Sequence, residues 1–92
     1  MDKVITSKSL NIIKKMQQSE LTESIIYEEI AKFAKGEENK KTLLKLSREE
    51  KAHYEIWKKY TGIEMKPEKV KIFKYKMFFF NIGWWMTITF SK

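Results

Sequence analysis

The sequence predicts an all-α protein, an antiparallel helical hairpin followed by a short C-terminal segment, with the hairpin dimerising into a four-helix bundle. Three observations predict it. Apolar and small residues recur at alternating steps of three and four over two long stretches, the period of one helix face. Glycines at positions 36 and 62 stand where those stretches stop. The chain has only 92 residues, a length at which one core is marginal and a second copy or a bound metal is expected to support it. It reads as a single domain, with the hairpin in residues 1–62 and a loop and aromatic-rich segment in residues 63–92.

Residues 7 to 35 read as the first helix, capped by Ser7 or Ser9 and stopped by Gly36. One face runs Ile13, Gln17, Glu20, Ser24, Tyr27, Ala31, Ala34, with Met16, Ile30 and Phe33 on its shoulders. The second helix spans roughly Glu38 to Thr61, with Gly62 as its stop. Its face runs Asn39, Leu43, Leu46, Glu50, His53, Trp57, Tyr60, while Glu49 and Glu55 fall on the solvent side. About three residues separate the helices, short enough to force an antiparallel pair. After Gly62 comes a loop, and Pro67 suits the first turn of a third helix. There Val70, Phe73, Met77, Phe80 and Trp84 continue the three-four spacing. A run of 14 uncharged residues, MFFFNIGWWMTITF, closes that stretch. It is too short for an ordinary membrane span, which needs about 20 apolar residues.

Composition excludes several classes. With no cysteine there are no disulfides, thiolate zinc sites or Cys-ligated clusters. The net charge of +7 does not predict nucleic-acid binding. Of the 19 basic residues only Arg48 is an arginine, and the lysines are interleaved with glutamates over helix surfaces. The N-terminus lacks the apolar run of a secretory signal, so a cytoplasmic location is expected. Five lysines between positions 66 and 76 precede the aromatic run, and basic residues beside aromatics suit a bilayer interface. Membrane or partner-protein contact through residues 66–92, in a non-catalytic helical module, is therefore the rival functional expectation.

The chemistry lies on the hairpin. Glu20, Glu50 and His53 occupy faces that should bury apolar side chains, and ionised groups rarely do so unless paired or metal-bound. Glu20 lies 16 residues before Gly36 and Glu50 lies 14 after it. At about 1.5 Å per residue the two carboxylates reach nearly the same height above the turn. Glu50 and His53, at i and i+3, can grip one ion together, and Glu20 adds a carboxylate from the neighbouring helix. Carboxylates with imidazole suit iron, with manganese as the alternative. One Glu plus one Glu-x-x-His is half of the ligand set of a carboxylate-bridged di-iron bundle. A two-fold axis would complete it, giving two irons per homodimer. Tyr27, two turns beyond Glu20, is placed to hydrogen-bond a ligand carboxylate or to serve as a core tyrosine. Trp57, four residues after His53, reads as packing. A zinc-protease motif is excluded, because His53 is the one histidine.

Glu20, Tyr27, the segment Glu50-Lys51-Ala52-His53 and the following Tyr54 resemble the first half of the rubrerythrin and ferritin-like di-iron superfamily. The likeness covers residues 10 to 62. The interval of 30 residues from Glu20 to Glu50 is also similar to that of encapsulated ferritins, two-helix half-ferritins that build their site across a dimer interface. A further likeness is to the rubrerythrin-type domain of vacuolar-iron-transporter-like fusions. The resemblance implies a ferroxidase or rubrerythrin-like oxidoreductase that oxidises Fe(II) with O2 or peroxide, with Glu20, Glu50 and His53 as its metal and catalytic residues. Two features depart from the family pattern. Nothing after Pro67 supplies a second Glu and Glu-x-x-His, and the rubredoxin-type Cys-x-x-Cys site is missing.

Overall fold

The computed structural model describes residues 6–90, with side chains through position 81. Three helices follow one another: α1 (Ser7–Ala31), α2 (Glu37–Thr61) and α3 (Lys69–Phe90). The all-helical expectation holds for the described residues. The third helix expected after Pro67 is present, beginning at Lys69 and, at 22 residues, longer than a short segment.

Local chemistry explains each boundary. The α1 N-cap is Thr6, not Ser7 or Ser9. Its extended backbone lets the hydroxyl accept from the Ser9 amide at 3.0 Å. The α1 helix ends at Ala31 rather than at residue 35. Its last turn tightens, with Phe33 N–H donating to Ile30 O and Ala34 N–H to Ala31 O, which satisfies the terminal carbonyls before Gly36 is reached. The connection is thus residues 32–36, longer than the three expected. Gly36 opens α2 instead of closing α1, with a φ of 86° that side-chain-bearing residues avoid. The Asn39 side chain donates to the Lys35 carbonyl at 2.9 Å and steadies that turn. Glu37 and Glu38 in the first turn and Lys58 and Lys59 in the last complement the α2 dipole. Gly62 closes α2 as expected, in the left-handed region (φ 69°), with its N–H on Lys58 O at 2.7 Å.

Helices α1 and α2 form the antiparallel hairpin, pinned by a small, polar core. Ser47 Oγ donates to Ser24 O at 2.7 Å midway along it, and small side chains there let the backbones approach. At the open end Thr61 Oγ1 donates to Gln17 Oε1 at 2.9 Å, and Gln17 Nε2 donates to Ile63 O at 2.6 Å. Gln17 is fully buried, and its amide is satisfied from both sides. The same strategy fixes the connector from α2 to α3. Gln18 donates to Lys66 O, the Met65 amide donates to the Tyr54 hydroxyl, and the Glu68 amide donates to Thr22 Oγ1. Gln18 and Thr22 of α1 and Tyr54 of α2 thereby supply partners for a loop that would otherwise strand its backbone groups.

Among the described residues helix α3 packs on α1 and not on α2, and it runs parallel to α1. Successive contacts join Thr22 to Glu68, Glu29 to Lys76 (3.2 Å) and the Phe33 ring to the Phe80 ring (5.3 Å between centroids). The expected α3 face is not the packed one. Val70, Phe73 and Met77 are exposed, because the docking side carries Ile72 and Lys76, and of the expected face only Phe80 reaches the hairpin among the described residues, its ring packed edge-on against Phe33. The side chain of Trp84 lies outside the described residues. Since α1 ends at Ala31, the register leaves residues 81–90 with no α1 alongside, and the molecule is correspondingly long, 61 × 24 × 15 Å. Among the described residues no helix is long and apolar enough to cross a membrane.

Candidate metal centre

Glu20 projects from the middle of α1, Glu50 and His53 from the middle of α2, and the hairpin brings all three together. One donor atom from each lies within 4.8 Å of the others. His53 Nδ1 is 3.8 Å from Glu20 Oε2 and 3.8 Å from Glu50 Oε1. These separations are too long for hydrogen bonds. They suit donors that share an ion, because ligands each roughly 2.0–2.2 Å from a metal stand about 3 Å apart when adjacent and about 4 Å when opposite.

The electrostatics agree with that geometry. Glu20 Oε1 is buried and has no hydrogen-bond partner, an arrangement that costs free energy unless a cation or proton compensates it. Burial is the chief reason the Glu20 carboxyl titrates above its ordinary value of 4.5. The His53 side chain opposes the rise, Glu50 and Glu23 add to it, and a weak hydrogen-bonding pull from Trp57 lowers it. The apo site therefore holds its proton more tightly than a solvated glutamate does. Glu23 is the residue that sequence reasoning missed. Its i+3 spacing from Glu20, a second acidic group on the same side of α1, was the available signal.

One expectation needs correction. The α2 face turned toward α1 is not Asn39, Leu46, His53 and Tyr60. It is the stripe one position on, with Ser47 and Tyr54 buried. Tyr54 anchors the connector, which fixes the helix rotation. Asn39 and Tyr60 are consequently exposed, and the His53 side chain retains 54% of its surface against 20% for Glu20 and 22% for Glu50. His53 thus stands at the rim of the cluster, with the carboxylates beneath it. Tyr27 is half-buried and makes no side-chain hydrogen bond among the described residues. Trp57 packs near Tyr60, 6.2 Å between ring centroids.

The rim opens onto a broad uncovered face. Ile12 and Met16 lie on the side of α1 next to Glu20, and Ile56 and Tyr60 on the side of α2 next to His53. They are 52%, 42%, 53% and 76% exposed. Helix α3 covers a different side of α1, through Thr22, Glu29 and Phe33. No family model, curated protein or solved structure matches the chain.

Proposed function

We propose that this chain is one half of a ferritin-like di-iron protein, a homodimer whose two hairpins form a four-helix bundle and share a site that oxidises Fe(II). The observation that carries the reading is the cluster itself. Two carboxylates and an imidazole from facing helices converge without bonding one another, around an orphaned Glu20 oxygen. Three donors leave a metal ion short of a full shell, and the half-exposed His53 lies where a second copy can supply the remainder.

In this reading Glu20 and His53 would be terminal ligands, and Glu50 or its symmetry mate would be the shared carboxylate, as in carboxylate-bridged bundles. Manganese fits the same donors. Two Fe(II) bound there would supply the two electrons that, with two protons, take one hydrogen peroxide to two water molecules. Glu20, which holds its proton more tightly than usual in the apo site, releases it when a cation binds. Covering Ile12, Met16, Ile56 and Tyr60 in the interface removes apolar surface from water, worth roughly 1 kcal/mol for each half-exposed side chain.

The test is iron titration of the metal-free protein with its variants. Glu50→Ala and His53→Ala each remove a donor from both symmetry copies and should lower iron affinity by a hundredfold or more, about 3 kcal/mol or greater. Glu49→Ala and Glu55→Ala, pointing to solvent, should bind as the parent does. Equal behaviour of all four would contradict the site.

A further inference from the structure

Helix α3 presents a surface that the hairpin neither uses nor covers. From Lys69 to Phe90 it has four lysines and no acidic residue, and the charge is sorted along its axis: the lysines all precede Met77, and residues 77–90 carry no charge. Met77, Phe78, Phe79 and Phe80 are consecutive, so at about 100° per residue they point in every direction around the helix. All four are at least 36% exposed. Val70 and Phe73 on the basic half are 68% and 63% exposed. Lys76 is taken by Glu29, whereas Lys69 and Lys74 stand in solvent.

We propose that α3 docks the protein onto the surface of an anionic lipid bilayer. Its aromatic end enters one leaflet, and Lys69, Lys71 and Lys74 meet the headgroup phosphates. Two arguments favour a bilayer over a protein groove or a second α3. A groove covers one face of a helix, but the exposed apolar surface here runs round most of it, the exception being the edge where Phe80 meets Phe33, as expected where the surrounding medium is itself apolar. The axial order of the sequence, cations first and aromatics after, matches the order of layers met on entering a leaflet: phosphate, then the boundary where aromatic rings concentrate. The length agrees. Fourteen residues rise about 21 Å, more than one leaflet of about 15 Å and less than the 30 Å core, so the helix enters obliquely and does not span. The register along α1 leaves that end beyond the hairpin turn, where nothing on α1 stands between it and a surface. The inference is independent of the metal reading.

Co-sedimentation of the full chain with vesicles tests it. Vesicles of phosphatidylcholine mixed with phosphatidylglycerol should pellet the protein, and vesicles of phosphatidylcholine alone should pellet at least tenfold less. Salt at about 1 M, where the Debye length is about 3 Å, should remove most of the difference. Lys69→Glu, Lys71→Glu and Lys74→Glu combined should lower binding to the anionic vesicles at least tenfold. Phe78→Ser with Phe79→Ser should do likewise, with helicity by circular dichroism unchanged. Should either variant misfold, acyl-brominated lipid in the anionic vesicles should still quench tryptophan emission of the unaltered chain. Absence of that quenching, or equal pelleting with neutral vesicles, would overturn the proposal. So would failure of the unaltered chain to pellet with anionic vesicles while it self-associates in a way that the two Phe→Ser changes abolish, a result that would assign α3 to a second copy.

Discussion

Two glutamates on α1 sit in opposite electrostatic situations, and the contrast is a test at single-residue resolution. Burial raises the Glu20 carboxyl, with Glu50 and Glu23 adding to it. Glu29 is lowered, first by the hydrogen bond from Lys32 (3.0 Å), against an opposing desolvation, and then by Lys76 on α3. A raised carboxyl contributes stability that is complete in acid and is lost as pH rises through its folded value, so at neutral pH the ionised Glu20 is a cost. A lowered carboxyl does the reverse: its contribution is present above 4.5 and is lost as pH falls through its folded value. The same substitution should therefore have opposite signs at the two positions. Glu20→Gln should raise the Tm of the metal-free protein at pH 7, and Glu29→Gln should lower it, through a loss of stability of about 1 kcal/mol for a partly exposed pair. Both differences should shrink toward zero in acid. Thermal melts in chelator across pH check this. A Glu20→Gln protein less stable than its parent at neutral pH would make Glu20 a structural partner rather than a ligand.

At the scale of elements, the two glycines make separable predictions. Gly62 is left-handed and Gly36 lies at φ 86°, ψ 142°, and neither has any atom within 4 Å of an added Cβ. Any cost of substitution is thus conformational and not steric. Gly62→Ala should destabilise by about 1 kcal/mol. Gly36→Ala, in a region that is essentially glycine's alone, should cost about 1–3 kcal/mol. Urea denaturation with unchanged m-values would show both. These elements also mark what was legible in the sequence. Three-four spacing and the stop at Gly62 suffice for two helices and for the common height of Glu20 and Glu50, because both depend on local geometry and on counting from the turn. The rotation of α2 was not legible. Leu46, Trp57 and Tyr60 make a second apolar stripe beside the Ser47–Tyr54 stripe, and tertiary hydrogen bonds, from Ser47 to the Ser24 carbonyl, from Thr61 to Gln17 and from Met65 to the Tyr54 hydroxyl, select which one meets α1. The α3 packing side escaped for a related reason. Its apolar residues surround the helix, so periodicity carries no direction, and the Glu29–Lys76 pair decides.

The whole molecule has a thin core and a large uncovered apolar surface. Among the described residues the buried apolar side chains are Ile26, Ile30, Ala31 and Tyr54, whereas eleven large hydrophobic side chains are exposed. A chain of this size with so little buried is marginal alone. The proposed dimerisation over the Ile12–Met16–Ile56–Tyr60 face, lipid contact at α3 and metal at Glu20–Glu50–His53 would each answer part of that deficit. Removing metal with chelator should accordingly lower the Tm, by an amount that grows with the metal concentration from which it was removed. Native mass spectrometry of the protein loaded with Fe(II) without oxygen tests the central claim most directly. The shared site predicts a dimer carrying two irons, about one per chain, and a His53→Ala protein carrying none. A monomer holding two irons, or an iron complement that survives the loss of His53, would contradict it.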